Sequence, residues 1–132
     1  MADDSNSSAL DRRALAAFGI YLALSFVFFG RGLIGHFSTW YLGRGPDPPQ
    51  SIWFLNWWAY AIRHRVNPFL TKFLFAPAGA NLAWSTTFPL AALIALPITW
   101  SLGPIAAYNI LCLLAPALAG WAAFVLCRWI TR

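Results

Sequence analysis

From Ile105 to Cys127 the chain carries no charged side chain, and Arg128 closes the run. A helix of that length is long enough to cross a bilayer core of about 30 Å. Two more apolar runs precede it. One extends from Ala14 to about Ile34, with Arg31 near its end and able to snorkel toward the headgroups. The other extends from about Thr86 to Leu102. A water-soluble domain with three such runs would expose too much apolar surface. Composition agrees, with 60% hydrophobic and 10% charged residues, outside the soluble globular range. The expected fold is an all-α integral membrane protein. Three transmembrane helices are expected at about 14–34, 86–102 and 105–127. A long external loop, about 35–85, is expected to hold an interfacial amphipathic helix at about 48–65.

Charge sets the expected orientation. Residues 1–13 are expected to form a disordered cytoplasmic head, because they are small and polar and contain three of the four acids. Arg12 and Arg13 precede the first run, and no clear small-residue cleavage site follows it. That layout predicts an uncleaved signal anchor with a cytoplasmic N-terminus, in a multi-pass membrane protein. The net charge of +5 comes from cations that flank apolar runs. They suit anionic headgroups or a phosphate-bearing lipid, and no soluble basic face is present for nucleic acid. Cys112 and Cys127, in one apolar run, would lie ~22 Å apart on a helix and cannot pair.

The stretch Arg44–Arg65, RGPDPPQSIWFLNWWAYAIRHR, organises the external loop. Asp47 before Pro48 and Pro49 predicts a helix starting at Pro48, with Asp47 as its N-cap. Asn56, Tyr60, Arg63 and His64 then fall on one helical face. The tryptophans on the remaining faces predict a helix lying in the membrane interface. Beyond it, Asn67-Pro68 and Pro77-Ala78-Gly79 predict turns. In the second span, Thr87 is the expected cap, Pro97 predicts a kink, and Trp84 and Trp100 match two aromatic belts. In the third, Ala115, Ala119 and Ala123 make a small-residue stripe suited to helix packing. Asn109 predicts an interhelical hydrogen bond.

Few residues can carry chemistry. The sequence has no nucleophile elbow, P-loop, dinucleotide fingerprint, HExxH or CxxC motif. His36 and His64 lack metal-ligand spacing, so no zinc site is expected from them, and no cofactor is expected. Asp47 is the one candidate acid or base. Arg44, Arg63 and His64 are the candidate cations for a phosphate group. Against this stands the plain reading that Asp47 only caps its helix.

The order of motifs resembles a family. Asp47-Pro48 comes before Trp53-Phe54-Leu55-Asn56-Trp57-Trp58. Asn67-Pro68-Phe69 and then Ala76-Pro77-Ala78-Gly79-Ala80-Asn81-Leu82-Ala83-Trp84 follow. Gly103-Pro104 stands ahead of Tyr108-Asn109. This set resembles the amino-terminal part of bacterial multi-spanning glycosyltransferases of the GT-C type, over about residues 14–132. The resemblance implies a polyprenyl-phosphate-linked sugar as donor, an external acceptor, and Asp47 as the acceptor's base. Many such enzymes carry two adjacent acids, whereas Asp47 stands alone between prolines. They also have many more spans. The expectation is therefore a front module, from a truncated or split gene, that is inactive without a partner chain bearing further spans. The alternative is a non-catalytic small membrane protein, a remnant or an interaction subunit. A transporter fragment is disfavoured by spans without a mid-depth ionisable residue.

Overall fold

A computed structural model describes residues 3–131, with side chains described from Arg12 onward. The chain is mostly helical. Helix α1 is Asp3–Ser25, α2 is Asp47–His64, α3 is Pro89–Leu102 and α4 is Pro104–Ile130. Two strands of two residues each, β1 (Leu70–Thr71) and β2 (Ala80–Asn81), pair antiparallel with Leu70 opposite Asn81. The side chains of the head expected to be disordered fall largely outside the described residues.

Two stretches are long and apolar enough to cross a membrane: Arg12–Leu33 and Pro104–Ile130. They match the first and third expected spans. The second does not reach that length. Helix α3 has 14 residues, a rise of ~21 Å, well short of the hydrocarbon core. Thr86 and Thr87 lie outside it, and its N-cap is Phe88, which makes no side-chain cap bond. Trp84 belongs to a separate 3-10 turn, Leu82–Trp84, so the two belt tryptophans do not share a helix.

The chain divides into two compact units. The first comprises residues 1–34 and 112–132. In it, α1 passes through a π-helical turn, Phe26–Gly30, and a 3-10 turn, Arg31–Leu33. The hydroxyl of Ser25, just before the π turn, donates to the Leu113 carbonyl at 2.8 Å. Trp121 Nε1 donates to the Ala14 carbonyl at 2.9 Å, and the Trp121 ring meets Phe18 edge-on. Gly120 lies so close to Tyr21 that a Cβ there would sit 2.8 Å from the ring. The contact face of α4 in this unit thus runs through Leu113, Ala117, Gly120 and Trp121. The expected alanine stripe, Ala115, Ala119 and Ala123, is exposed instead. Its four-residue spacing is real, but spacing alone cannot tell which face meets a neighbour.

The second unit is residues 35–111, and α2 is its core. Phe54, Leu55, Trp57, Trp58 and Ala61 are buried on α2, together with Ala92 and Ala95 of α3, Leu82 and Ala107. Alanines on α3 let the large rings of α2 approach closely. Trp57 and Trp58, expected to anchor in an interface, are therefore core side chains. The polar face is as expected, with Asn56, Tyr60, Arg63 and His64 exposed. Asn109, fully buried, bonds to loop backbone instead of another helix. Its Nδ2 donates to the carbonyls of Phe37 at 2.8 Å and Trp40 at 2.7 Å, and its Oδ1 accepts from Leu42 N at 3.1 Å.

Candidate functional site

Helix α2 carries a distinct arrangement at each end. At its start, the chain leaves the Asn109 clamp at Leu42, whose carbonyl also accepts from the Tyr108 hydroxyl at 3.2 Å. It then turns through Gly43 and Gly45, both at positive φ, a conformation costly for any residue with a Cβ. Gly43 is packed on Pro48, where a Cβ would sit 3.0 Å from the ring. This turn holds Arg44 and delivers Asp47 into the first turn of α2.

The helix begins at Asp47, one residue earlier than expected, and its N-cap is Pro46. Asp47 therefore does not serve as the cap, and no side-chain cap bond is made there. A residue inside the helix already has helical φ and ψ, and its carboxylate no longer faces back over the open N–H groups as a cap would. Asp47 is exposed, and among the described residues its carboxylate has no hydrogen bond or ion pair. Arg44 is also exposed and, among the described residues, forms no ion pair with it.

The cations assigned to Asp47's site do not join it. Arg63 and His64 sit in the last turn of an 18-residue helix, ~24 Å from Asp47 along the axis. His64 stacks on Tyr60 with ring centroids 4.0 Å apart, and its Nδ1 donates to the Tyr60 carbonyl at 2.9 Å. The four expected site residues fall into two pairs, Asp47 with Arg44 at the start of α2 and Arg63 with His64 at its end.

At the other end lies a cavity of about 610 Å³ between the last turns of α2 and the β1–β2 hairpin. Trp57, Tyr60 and Phe73 form aromatic walls, with Phe73 edge-on to both other rings. Trp57 Nε1 donates to the Pro68 carbonyl at 2.8 Å and ties the loop to the helix. Gly79 closes the hairpin at φ +80, where a Cβ would sit 2.7 Å from the Thr71 carbonyl oxygen, so only glycine fits.

Among the residues that line this cavity, Tyr60, Asn67, Lys72 and Asn81 carry side-chain donors. The Asn67 Oδ1 accepts from Phe69 N at 2.9 Å, and the Asn81 Oδ1 accepts from Ala83 N at 3.0 Å. Each turn occupies one lone pair of the amide oxygen, and the NH₂ has no bond among the described residues. Lys72 Nζ and the Tyr60 hydroxyl are unbonded among the described residues. None of these four groups is among the site residues expected from the sequence. The signal was the pair of asparagines, each two residues before a backbone N–H that it caps.

No family model matches the chain, and no match is found among curated proteins or solved structures.

Proposed function

We propose that the chain is a membrane-embedded module of a GT-C-like glycosyltransferase, working beside further spans from a partner chain. Arg12–Leu33 and Pro104–Ile130 would cross the bacterial inner membrane, with the N-terminus in the cytoplasm. Residues 35–111 would then carry the reacting groups on the external side. Asp47 would take the proton of an acceptor hydroxyl, and Arg44 would face the phosphate of a polyprenyl-phosphate sugar donor.

The observation that carries this reading is the state of Asp47. Its carboxylate has no structural bond to make, yet the loop that delivers it is clamped by Asn109 and by two glycine turns. A general base needs both freedom to accept a proton and a fixed mount. Two spanning helices cannot wall in a lipid donor and an acceptor, which is why a partner is required.

The test is transferase rate beside thermal stability for Asp47→Asn and Asp47→Ala in the partnered enzyme. A positioned base contributes roughly 10²–10⁴-fold, so both variants should lose turnover by about that factor. Because Asp47 makes no cap bond, both should also unfold within about 1 kcal/mol of the parent, the residual being the dipole interaction of an acid in the first turn. Near-normal turnover in Asp47→Asn rejects the assignment.

A second reading has its own support. The carboxylate and the donor-rich cavity lie at opposite ends of α2, so the cavity serves no chemistry at Asp47. This favours a non-catalytic membrane subunit, and sugar transfer unaffected by loss of the chain from the assembly would select it.

A further inference from the structure

We infer that the cavity between the end of α2 and the β1–β2 hairpin holds the phosphate headgroup of an anionic phospholipid. Three independent features point there. The first is the donor set. Tyr60, Asn67, Lys72 and Asn81 line the cavity, four residues with side-chain donors, and no carboxylate lines it. A phosphate diester offers only acceptors, and charge-assisted bonds to it are about twice as strong as neutral ones.

The second is the charge around it. Residues 35–111 contain Arg44, Arg63, Arg65 and Lys72 against the single acid Asp47. Asp47 is at the far end of α2, while Arg63 and Arg65 flank the cavity's helix end. The local field is therefore positive, as an anionic headgroup requires.

The third is the apolar surface of the same loop. Phe73, which lines the cavity, is 69% exposed, and Phe75, in the loop joining β1 to β2, is 80% exposed. Aromatic side chains that project beside a basic, donor-lined cavity fit an acyl-chain boundary, with rings in the apolar layer and polar groups at headgroup level. A free inorganic anion would have no use for these rings. A headgroup with chains attached uses both features at once. Phosphatidylglycerol binding here requires no transferase chemistry and no role for Asp47, so the two can fail separately.

The test uses the full chain in a neutral detergent, titrated by calorimetry with dioctanoyl-phosphatidylglycerol, dioctanoyl-phosphatidylcholine and inorganic phosphate. Phosphatidylglycerol should bind about tenfold or more tightly than phosphatidylcholine, whose phosphate is the same but whose quaternary ammonium meets the positive field of Arg63, Arg65 and Lys72. Inorganic phosphate should bind more weakly still. Lys72→Gln should weaken phosphatidylglycerol by about the same factor, and Lys72→Arg should keep most of it. Arg12→Gln, with the same change in net charge, should bind as the parent does. Equal affinity for the two lipids overturns the assignment, and this comparison needs no variant to fold. Inorganic phosphate binding as tightly as phosphatidylglycerol also overturns it, because the chains would then contribute nothing. So does an Arg12→Gln loss equal to that of Lys72→Gln, which would make the effect one of overall charge.

Discussion

The Asn109 side chain holds the Trp40 carbonyl at 2.7 Å from a position 69 residues further along the chain. The same amide serves the Phe37 carbonyl and the Leu42 N–H. One buried side chain therefore satisfies three backbone groups of a segment that has no regular structure of its own. This is how an irregular stretch can be held still beside the start of α2. The backbone groups that helices and sheets would pair internally are paired by an asparagine instead.

Asn109→Leu should remove all three bonds at nearly constant volume. The three bonds are partly buried, and at a net of about 0.5–1.5 kcal/mol each a loss of roughly 2–4 kcal/mol is expected. Asn109→Asp should recover the bond to Leu42 N but set a carboxylate against two carbonyls, and should be no better. Thermal unfolding in detergent, with proteolysis at residues 37–46 as a local readout, checks both.

Adjacent tryptophans on α2 should respond unequally to loss of the indole N–H. Trp57 Nε1 is bonded to Pro68, whereas Trp58 Nε1 is buried with no partner. Trp57→Phe therefore loses a bond and strands a carbonyl, while Trp58→Phe removes a donor that was already unpaired. Trp57→Phe should be the less stable of the two by about 1–2 kcal/mol. Equal losses measured by thermal denaturation would show that ring volume alone sets the cost.

Helix α2 ends on a left-handed residue that is not glycine. Arg65 has φ +55, with Arg65 N bonded to the Ile62 carbonyl and Val66 N to the Ala61 carbonyl at 2.9 Å. This is a Schellman closure, where glycine is usual. The left-handed form costs about 1–2 kcal/mol for a residue with a Cβ. Arg65→Gly should therefore raise the unfolding temperature, by up to about 1 kcal/mol of stability once the greater freedom of the unfolded glycine is counted. Arg65→Val should lower it. A drop for Arg65→Gly would mean that the guanidinium makes contacts worth more than the backbone strain.

The two long helices were legible because a charge-free run of spanning length has few other outcomes. Helix α2 was legible from Asp47-Pro48-Pro49, though one residue late, since an acid before proline reads equally well as cap or first turn. Its tryptophans read as interface anchors because indole suits an interface, but nothing within α2 announces that the segment after it brings Phe69 against the buried Trp58 and Phe73 against the buried Trp57. Asn109 was legible as a polar anomaly in an apolar run, and its partners were not, because they are backbone groups in a distant segment. The hairpin left no periodic trace, as two residues per strand cannot alternate. The separation of Arg63 and His64 from Asp47 was readable from the helix length itself, ~24 Å over sixteen residues.

The aromatic face of α2 has one more consequence. Trp53 and Trp57 lie parallel, 4° apart in plane, Trp57 stacks on Tyr60, and Tyr60 stacks on His64. Rings three and four positions apart overlap only while the backbone between them keeps its helical winding. The chain thus carries its own optical gauge. Fraying near Asp47 uncouples the two indoles, whereas fraying near Arg65 frees Tyr60 from the imidazole and changes the phenol's emission. With the other six tryptophans and three tyrosines replaced, two spectral signals report separately on two parts of a single helix, without any added label.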